Sequence, residues 1–281
     1  MEKIRIITDS ASDIGANEYP NLVVLPLSVR FGEEEFLDNV TITNKEYYTR
    51  LTTGDILPKT SQVTPHAFEQ AIQEAIDAGE KALVITISSK LSGTYQSACI
   101  AASEFDEKDV VVVDSLLATV SEQVLVKYAY QLVNEGKSFD EIVKIVEESK
   151  SKVKLAGLLD TLEYLKKGGR ISAAAAIFGS ALSIKPIIQL VDGAVEVADK
   201  ARGKKNGIEA TLKYLRDHKV DTDMPVAIGY AGVEPDLLGS VVEASKTGDN
   251  TNLESWPVIS IGATIGTYTG PNSVVLGYFE K

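Results

Sequence analysis

Ser92-Gly93-Thr94-Tyr95-Gln96-Ser97-Ala98 begins a helical pattern shortly after the apolar run Ala82-Leu-Val-Ile-Thr-Ile87. A strand, a hydroxyl-rich turn and then a helix can form an anion site, because the first N–H groups of a helix lack internal partners and lie at its positive end. Ser92 adds a hydroxyl donor, and Gly93 lets a ligand approach the backbone. Taken alone, this turn is more simply explained by Ser92 capping the helix.

The residues around this turn predict an α/β domain with a mainly parallel sheet. Short apolar runs alternate with segments of helical periodicity, which is typical of such domains. Strands are expected at residues 4–8, 22–29, 82–87 and 110–113. Helices are expected at residues 67–76, where Thr64 and Pro65 supply a cap and a first-turn proline, and at 119–134 and 139–149.

The second half of the chain predicts another α/β domain with mixed or antiparallel pairing. A lysine-rich segment at residues 150–154 suggests the division into domains 1–150 and 151–281. Strands are expected at 155–159, 186–190, 226–230, 257–261 and 273–279, and helices at 162–167, 173–182, 204–216 and 235–246. The alanine tract at 173–176 favours a helix; its small side chains would also leave room for a bulky apolar ligand.

Composition restricts the possible partners. The 281 residues include 40 acidic and 28 basic side chains, and the net charge of -12 argues against binding to nucleic acid. The single cysteine, Cys99, and the absence of a signal-peptide pattern indicate a cytoplasmic protein. The longest apolar window, residues 173–184, is too short for an integral membrane segment.

Four further polar segments compete for a functional role: residues 8–13, 58–62, 168–172 and 265–271. In the first, Asp9 would repel an anion, so we expect it to hold neighbouring N–H groups. Thr60 and Ser61 could bind an anion or their own backbone. Arg170 follows two glycines, a pattern suited equally to carboxylate recognition and to a surface ion pair. Residues 265–271 are predicted to form a hairpin or crossover loop.

The sequence offers little for bond-breaking chemistry. His66 and His218 lie in helical patterns without metal-ligand spacing, and neither nucleotide-binding glycine motif is present. Ser92 has no evident base. We therefore expect no catalytic residue, no metal and no cofactor, and we expect the hydroxyls, glycines and Arg170 to bind an anionic head group.

In order and spacing, six segments resemble the DegV family: Thr8-Asp-Ser, Thr60-Ser-Gln, Ser92-Gly-Thr-Tyr-Gln-Ser-Ala, Leu162-Glu-Tyr-Leu-Lys-Lys-Gly-Gly-Arg-Ile-Ser172, Lys185-Pro186 and Ile265-Gly-Thr-Tyr-Thr-Gly-Pro271. The resemblance implies a two-domain α/β protein that holds one long-chain fatty acid, such as palmitate, stearate or oleate, between its domains. It also implies a non-catalytic lipid-binding subunit of a bacterial fatty acid kinase, which presents the carboxylate to a separate ATP-binding subunit that makes acyl phosphate.

The resemblance also assigns residues. It implies that Thr60 and Ser92 donate to the carboxylate, with Gly93 allowing close approach and Ser61 supporting them. Arg170 matches the family's arginine at the mouth of the site. Tyr268 departs from the histidine that is frequent in the last motif; it can still donate a hydrogen bond, but it lacks the charge switch of a histidine.

Basic clusters within this acidic chain suggest a docking surface. One contains Lys166, Lys167 and Arg170, and the other contains Arg202, Lys204 and Lys205. Such local contrast can steer a partner, and a solvated helix face explains it equally well. Two other functions stay open: a lipid carrier or sensor without a kinase partner, and a serine-dependent hydrolase using Ser92.

Overall fold

A computed structural model of the chain describes residues 2–16, 18–171, 183–247 and 251–281. The predicted helix at 173–182, with its alanine tract, lies outside these residues. The strands are β1 Ile4–Asp9, β2 Leu22–Leu25, β3 Ser28–Phe31, β4 Glu34–Leu37, β5 Lys59–Ser61, β6 Lys81–Thr86, β7 Val110–Asp114, β8 Val153–Leu158, β9 Ile184–Val191, β10 Ala194–Arg202, β11 Val220–Asp221, β12 Ala227–Ala231, β13 Val258–Ser260 and β14 Ser273–Glu280. The helices are α1 Asn44–Thr53, α2 Pro65–Asp77, α3 Thr94–Ala102, α4 Thr119–Asn134, α5 Phe139–Ser149, α6 Glu163–Gly168, α7 Lys204–Asp217, α8 Asp236–Ser245 and α9 Ala263–Thr269.

The first sheet is parallel, in the order β2-β1-β6-β7, and confirms the predicted α/β class. Its central strands β1 and β6 are almost wholly buried, as expected for apolar runs covered on both faces. Helix α2 begins as predicted: the Thr64 hydroxyl accepts a hydrogen bond from the Ala67 N–H, and Pro65 occupies the first turn.

The second sheet is mixed, in the order β10-β9-β8-β14-β12-β13, with β11 pairing to β14. Its only parallel pair among the described strands is β12 with β13. Helix α4 contacts β1 of the first sheet and β8, β12 and β14 of the second. It approaches β14 closely at Gly277, where an added Cβ would lie 2.5 Å from the Val120 carbonyl oxygen. Helix α4 therefore joins the two sheets.

A small antiparallel sheet, β4-β3-β5, was not predicted. The expected strand at 22–29 divides at Pro26, which has no N–H to continue the ladder. Residues 59–61, expected as a loop, form β5 because Thr60 pairs with Val29 of β3. These strands have three or four residues, so their pairing depends on distant partners rather than on a local pattern.

The prediction of a loop at residues 265–271 is wrong, because most of this segment is helix α9. The backbone N–H groups of Ala263 and Thr264, at the start of the helix, both donate to the Asp38 carboxylate, at 2.8 and 3.1 Å. The helix ends at Gly270, whose φ of 69° suits glycine. The acceptor that stabilises this helix comes from a residue 225 positions away, so no local sequence signal marks it.

Candidate ligand-binding site

A cavity of about 210 Å³ lies between the second sheet and the turns that follow the first sheet. Its apolar wall comes mainly from strands β8, β9, β10 and β14 and from flanking helices and turns. The apolar lining residues are Leu27, Ile87, Leu91, Ala118, Leu155, Leu165, Ile188, Leu190, Val195, Ile265 and Val275. Polar lining residues include Thr60, Ser61, Ser92, Arg170 and Tyr268. One cavity therefore brings together all the residues predicted to surround the ligand's head group.

Ser92 and Gly93 form the turn that enters α3. The Ser92 hydroxyl lies 2.9 Å from the Thr94 hydroxyl and accepts a hydrogen bond from the Thr94 N–H at 3.3 Å. The helix cap is Gly93, so Ser92 shapes the turn from one residue further back. A Cβ at Gly93 would lie 2.0 Å from the Gln62 side-chain oxygen. Gln62 therefore packs against Gly93 where a larger residue would clash. This packing explains the glycine in addition to the predicted approach of a ligand.

Thr60 and Tyr268 meet at the polar wall of the cavity. The Thr60 hydroxyl lies 2.6 Å from the Tyr268 hydroxyl, although the two residues are 208 positions apart. Thr60 is half-buried on β5, and Tyr268 is half-buried on α9. Ser61 lines the same cavity but is exposed, and its supporting role stays a prediction.

Arg170 is fixed beside these hydroxyls. Its Nε donates to the Leu91 carbonyl oxygen at 3.2 Å, and its Nη1 donates to the Gly168 carbonyl oxygen at 2.6 Å. The guanidinium carbon lies 4.9 Å from the centre of the Tyr268 ring, a cation–π geometry. A Cβ at Gly168 would lie 2.4 Å from the same ring. Arg170 therefore connects the turn before Ser92 to the ring of Tyr268.

Two buried carboxylates hold the start of α9 and were missed as site residues. Asp38 binds the first N–H groups of this helix and also accepts a hydrogen bond from the Ser10 hydroxyl at 3.1 Å. Asp13 accepts from the Gly262 N–H at 2.8 Å and from the Thr119 hydroxyl at 2.6 Å. Asp13 belongs to a segment that the sequence did single out, whereas nothing marked Asp38.

Burial raises the pKa values of four carboxyl groups, those of Asp9, Asp13, Asp38 and Glu122. It raises the pKa of Asp9 to about 7 and that of Asp13 to about 8, against hydrogen bonds that lower both. Burial also raises the pKa values of Asp38 and Glu122. Asp9 accepts from the N–H groups of Ala11 and Ile87, which is the structural role predicted for it.

Arg202 lies apart from the cavity lining. It ends β10 and is exposed, with Lys204 and Lys205 following at the start of α7. Its role in docking a partner therefore concerns the protein surface rather than the cavity, and it stays a prediction.

Among the described residues, the Ser92 hydroxyl hydrogen-bonds to Thr94, and no hydrogen bond joins it to a histidine, a lysine or a carboxylate. The His66 ring lies 3.4 Å from Glu69 on the exposed side of α2, and His218 stacks on Tyr214 with 3.9 Å between ring centroids. Within the same residues, no cluster of three potential metal ligands exists. None of the described helices has the length and apolar character to cross a membrane. The hydroxyls and the guanidinium that line the cavity are groups suited to holding an anion.

The profile of the DegV family, which describes its members as uncharacterised proteins, matches residues 3–281. The chain belongs to the DegV family. A DegV domain-containing protein of Clostridium acetobutylicum is 36% identical over 288 residues, covering all of both chains.

Solved DegV structures share the fold. A DegV family protein from Thermus thermophilus, described for its fatty acid binding, has a TM-score of 0.89 and 31% identity over 99% of this chain and 100% of that one. The Streptococcus pneumoniae fatty acid kinase B3 protein, loaded with linoleic acid, has a TM-score of 0.86 over 99% of this chain and 100% of that one. Its identity of 22% makes that similarity one of fold alone.

Proposed function

We propose that the chain binds one long-chain fatty acid, such as palmitate, stearate or oleate, with the tail in the apolar cavity and the carboxylate at the polar wall. The observation that carries this proposal is that Thr60, Ser92 and Tyr268 line one cavity with many apolar residues, and that the hydroxyls of Thr60 and Tyr268 lie 2.6 Å apart. The fatty acid binding of the Thermus thermophilus relative supports it.

The tail supplies the affinity. About 14 methylenes, at ~0.8 kcal/mol each, gain ~11 kcal/mol on leaving water, before the costs of association. The cavity bounded by the described residues, about 210 Å³, is smaller than the ~300–1,000 Å³ of common ligand sites. A long chain must therefore displace part of the apolar wall or extend past the described residues.

The head group sets the orientation of the ligand. A carboxylate next to an apolar wall needs hydrogen-bond donors, because an unpaired buried charge is strongly unfavourable. The Thr60 and Tyr268 hydroxyls hydrogen-bond to each other at 2.6 Å. A carboxylate would exchange that single bond for one from each hydroxyl and a third from Ser92, while Arg170 adds positive charge nearby.

We further propose that the bound carboxylate is presented to a separate ATP-binding kinase subunit. A carboxylate oxygen attacks the γ-phosphorus of ATP, the bond from that phosphorus to the bridging oxygen breaks, and ADP leaves with the electron pair. The chain supplies no catalytic group and needs no cofactor in this scheme. The fold shared with the Streptococcus pneumoniae fatty acid kinase B3 protein is consistent with such a role, and the cytoplasm is its expected location.

The basic residues near Arg170 and Arg202 are the proposed docking surface for that subunit. Charge reversal by Arg202→Glu is expected to weaken subunit binding and to leave lipid binding intact, because Arg202 lies outside the described cavity lining. A lipid carrier or sensor is the alternative. Acyl phosphate formed from the bound lipid with ATP and a candidate kinase subunit would decide for the kinase role, and no turnover would favour the carrier.

Ser92→Ala tests the lipid site. We expect palmitate to bind about 10- to 100-fold more weakly, because the carboxylate loses one charge-assisted hydrogen bond of ~1.5–3 kcal/mol. Isothermal titration of delipidated protein measures the affinity, and mass spectrometry of an organic extract identifies the lipid that copurifies.

Ser103→Ala is the matched control for this test. Ser103 follows the other end of α3 and is exposed, so this change removes a hydroxyl without touching the cavity. An extract free of fatty acid, together with unchanged palmitate affinity in Ser92→Ala, would contradict the proposed function.

A further inference from the structure

A second pocket, of about 440 Å³, lies on the outer side of the polar wall. Thr60, Arg170 and Tyr268 line both this outer pocket and the inner cavity, so these three side chains form the partition between them. The remaining lining residues of the outer pocket are Leu57, Pro58, Lys59, Tyr164, Lys167, Gly168 and Thr267. A head group held at the partition therefore has the inner cavity on one side and the outer pocket on the other.

The outer pocket is positively charged within a chain whose net charge is -12. Its described lining contains three cationic side chains, Lys59, Lys167 and Arg170, and no carboxylate. Lys167 also forms an ion pair with Glu163 one helical turn away, which neutralises part of its charge. Lys59 and Arg170 thus provide most of the attraction for an anion.

The position of Lys59 is unfavourable for the small sheet itself. In the register of β3 with β5, Lys59 lies directly opposite Arg30, and like charges in that position destabilise a strand pair. Arg170 uses two of its five N–H donors on backbone carbonyls, which fixes the guanidinium and leaves donors for a ligand. Positive charge is thus concentrated in the outer pocket, at some cost to the stability of the sheet.

We propose that the outer pocket binds the phosphoryl group of an acyl phosphate. This inference rests on the proposed function, because it assigns a place to the product of that reaction. In an acyl phosphate the phosphorus is bonded to a carboxylate oxygen, so it lies one bond beyond a carboxylate held by Thr60, Ser92 and Tyr268. A carboxylate carries one negative charge, whereas in an acyl phosphate the carboxyl group is neutral and the phosphoryl group carries all of the negative charge, so in the proposed position that charge lies beside Lys59 and Arg170.

The test compares two ligands of the same tail. One is palmitate, and the other is the β-keto phosphonate of palmitic acid, in which a methylene replaces the bridging oxygen so that the compound cannot hydrolyse. Lys59→Gln removes an exposed cation of the outer pocket. Lys166→Gln is the matched control, because Lys166 is exposed on α6 beside Lys167 and lies outside the described lining of both pockets.

We expect Lys59→Gln to weaken phosphonate binding about tenfold, the size of one charge-assisted contact, and to change palmitate affinity less than twofold. Lys166→Gln should change neither affinity. Inorganic phosphate at millimolar concentration should compete with the phosphonate and spare palmitate, because it reaches only the outer pocket.

Equal effects of Lys59→Gln on the two ligands would overturn the outer-pocket assignment while leaving the fatty-acid site intact. Phosphate competition that stays the same in Lys59→Gln would overturn it as well. If neither ligand binds the unmodified protein, the proposed function itself fails, and this assignment fails with it.

Discussion

The surroundings of Tyr268 show what its aromatic ring and its hydroxyl each contribute. The ring packs beneath the Arg170 guanidinium and against Gly168, whose missing side chain makes room for it. The hydroxyl contacts Thr60. The ring thus connects Arg170 to α9, and the hydroxyl is the group proposed to bind the head group.

Tyr268→Phe separates these two contributions, because it keeps the ring and removes the hydroxyl. We expect palmitate affinity to fall about three- to tenfold, less than for Ser92→Ala, because the bond lost to the carboxylate is partly offset by the bond to Thr60 that palmitate no longer has to displace. Tyr214→Phe is the matched control: its hydroxyl donates to Gln189 at 2.6 Å, outside the cavity lining. Titration calorimetry that gives both variants the affinity of the unmodified protein would remove Tyr268 from the site.

At this scale the sequence predicts residue types better than contacts. Ser92, Thr60 and Arg170 were singled out by local patterns and by the family resemblance, and the structure places all three on one cavity. The contact between Thr60 and Tyr268 could not be predicted, because the two residues come from elements that only the tertiary fold brings together. Gln62 belongs to the Thr60-Ser-Gln segment, but for the same reason its contact beside Gly93 could not be predicted.

At the scale of the elements, the sequence predicts helices whose own residues cap their first turn, but not a helix that is capped by a distant residue. Helix α2 carries Thr64 and Pro65 at its start, and helix α5 has a capping box between Ser138 and Glu141. Helix α9 has neither a first-turn proline nor a capping side chain at its N-cap residue, Gly262. Its first N–H groups bind Asp38, and seven residues are too few to form a stable helix without such tertiary support.

Asp38→Ala tests whether the cap that Asp38 provides for α9 positions the ligand site. We expect the free energy of unfolding to fall by about 2–3 kcal/mol, because two backbone N–H groups and the Ser10 hydroxyl lose a buried acceptor. We also expect palmitate to bind at least several-fold more weakly, because Tyr268 lies in α9, the helix that loses its cap.

The control for Asp38→Ala is Thr43→Ala. Thr43 caps α1 through an exposed capping box with Glu46, so its loss costs about 1 kcal/mol of stability and leaves α9 in place. Denaturant unfolding gives the stabilities, and affinities are compared at a temperature where both variants are folded. Asp38→Ala protein with the palmitate affinity of Thr43→Ala would show that Asp38 stabilises the fold without positioning Tyr268.

On the scale of the whole molecule, the parallel sheet, helix α4 and helix α9 meet at buried acids. Asp13 links the first turn to Thr119 of α4 and to Gly262 before α9, and Glu122 of α4 accepts a hydrogen bond from Thr8 of β1. The sequence predicted a mainly parallel sheet in the first half of the chain and a mixed or antiparallel sheet in the second, as the structure has them. It did not indicate that α4 contacts both sheets, since a helix followed by another helix carries no sign of which sheet it covers.

These acids make stability depend on pH in a definite direction. Burial raises their pKa values in the folded protein, to about 7 for Asp9 and about 8 for Asp13, whereas in the unfolded chain they titrate near pH 4. Between those values the folded state holds more protons than the unfolded state. The contribution of these acids to the free energy of unfolding should therefore be greatest below about pH 4 and should fall as pH rises from there to 8, by about 1.4 kcal/mol per pH unit for each extra proton held.

Glu122→Gln isolates one of these protons. Glu122 is fully buried, its pKa is raised chiefly by that burial, and one of its carboxyl oxygens has no hydrogen-bond partner among the described residues. A glutamine resembles the protonated acid, so we expect this variant to lose less stability between pH 5 and pH 8, by about 1.4 kcal/mol per unit. Glu141→Gln is the control: hydrogen bonds from Ser138 lower the pKa of Glu141, so its contribution changes only below pH 5. Urea unfolding at several pH values measures the slopes, and equal slopes for the two variants would mean that Glu122 is ionised in the folded protein.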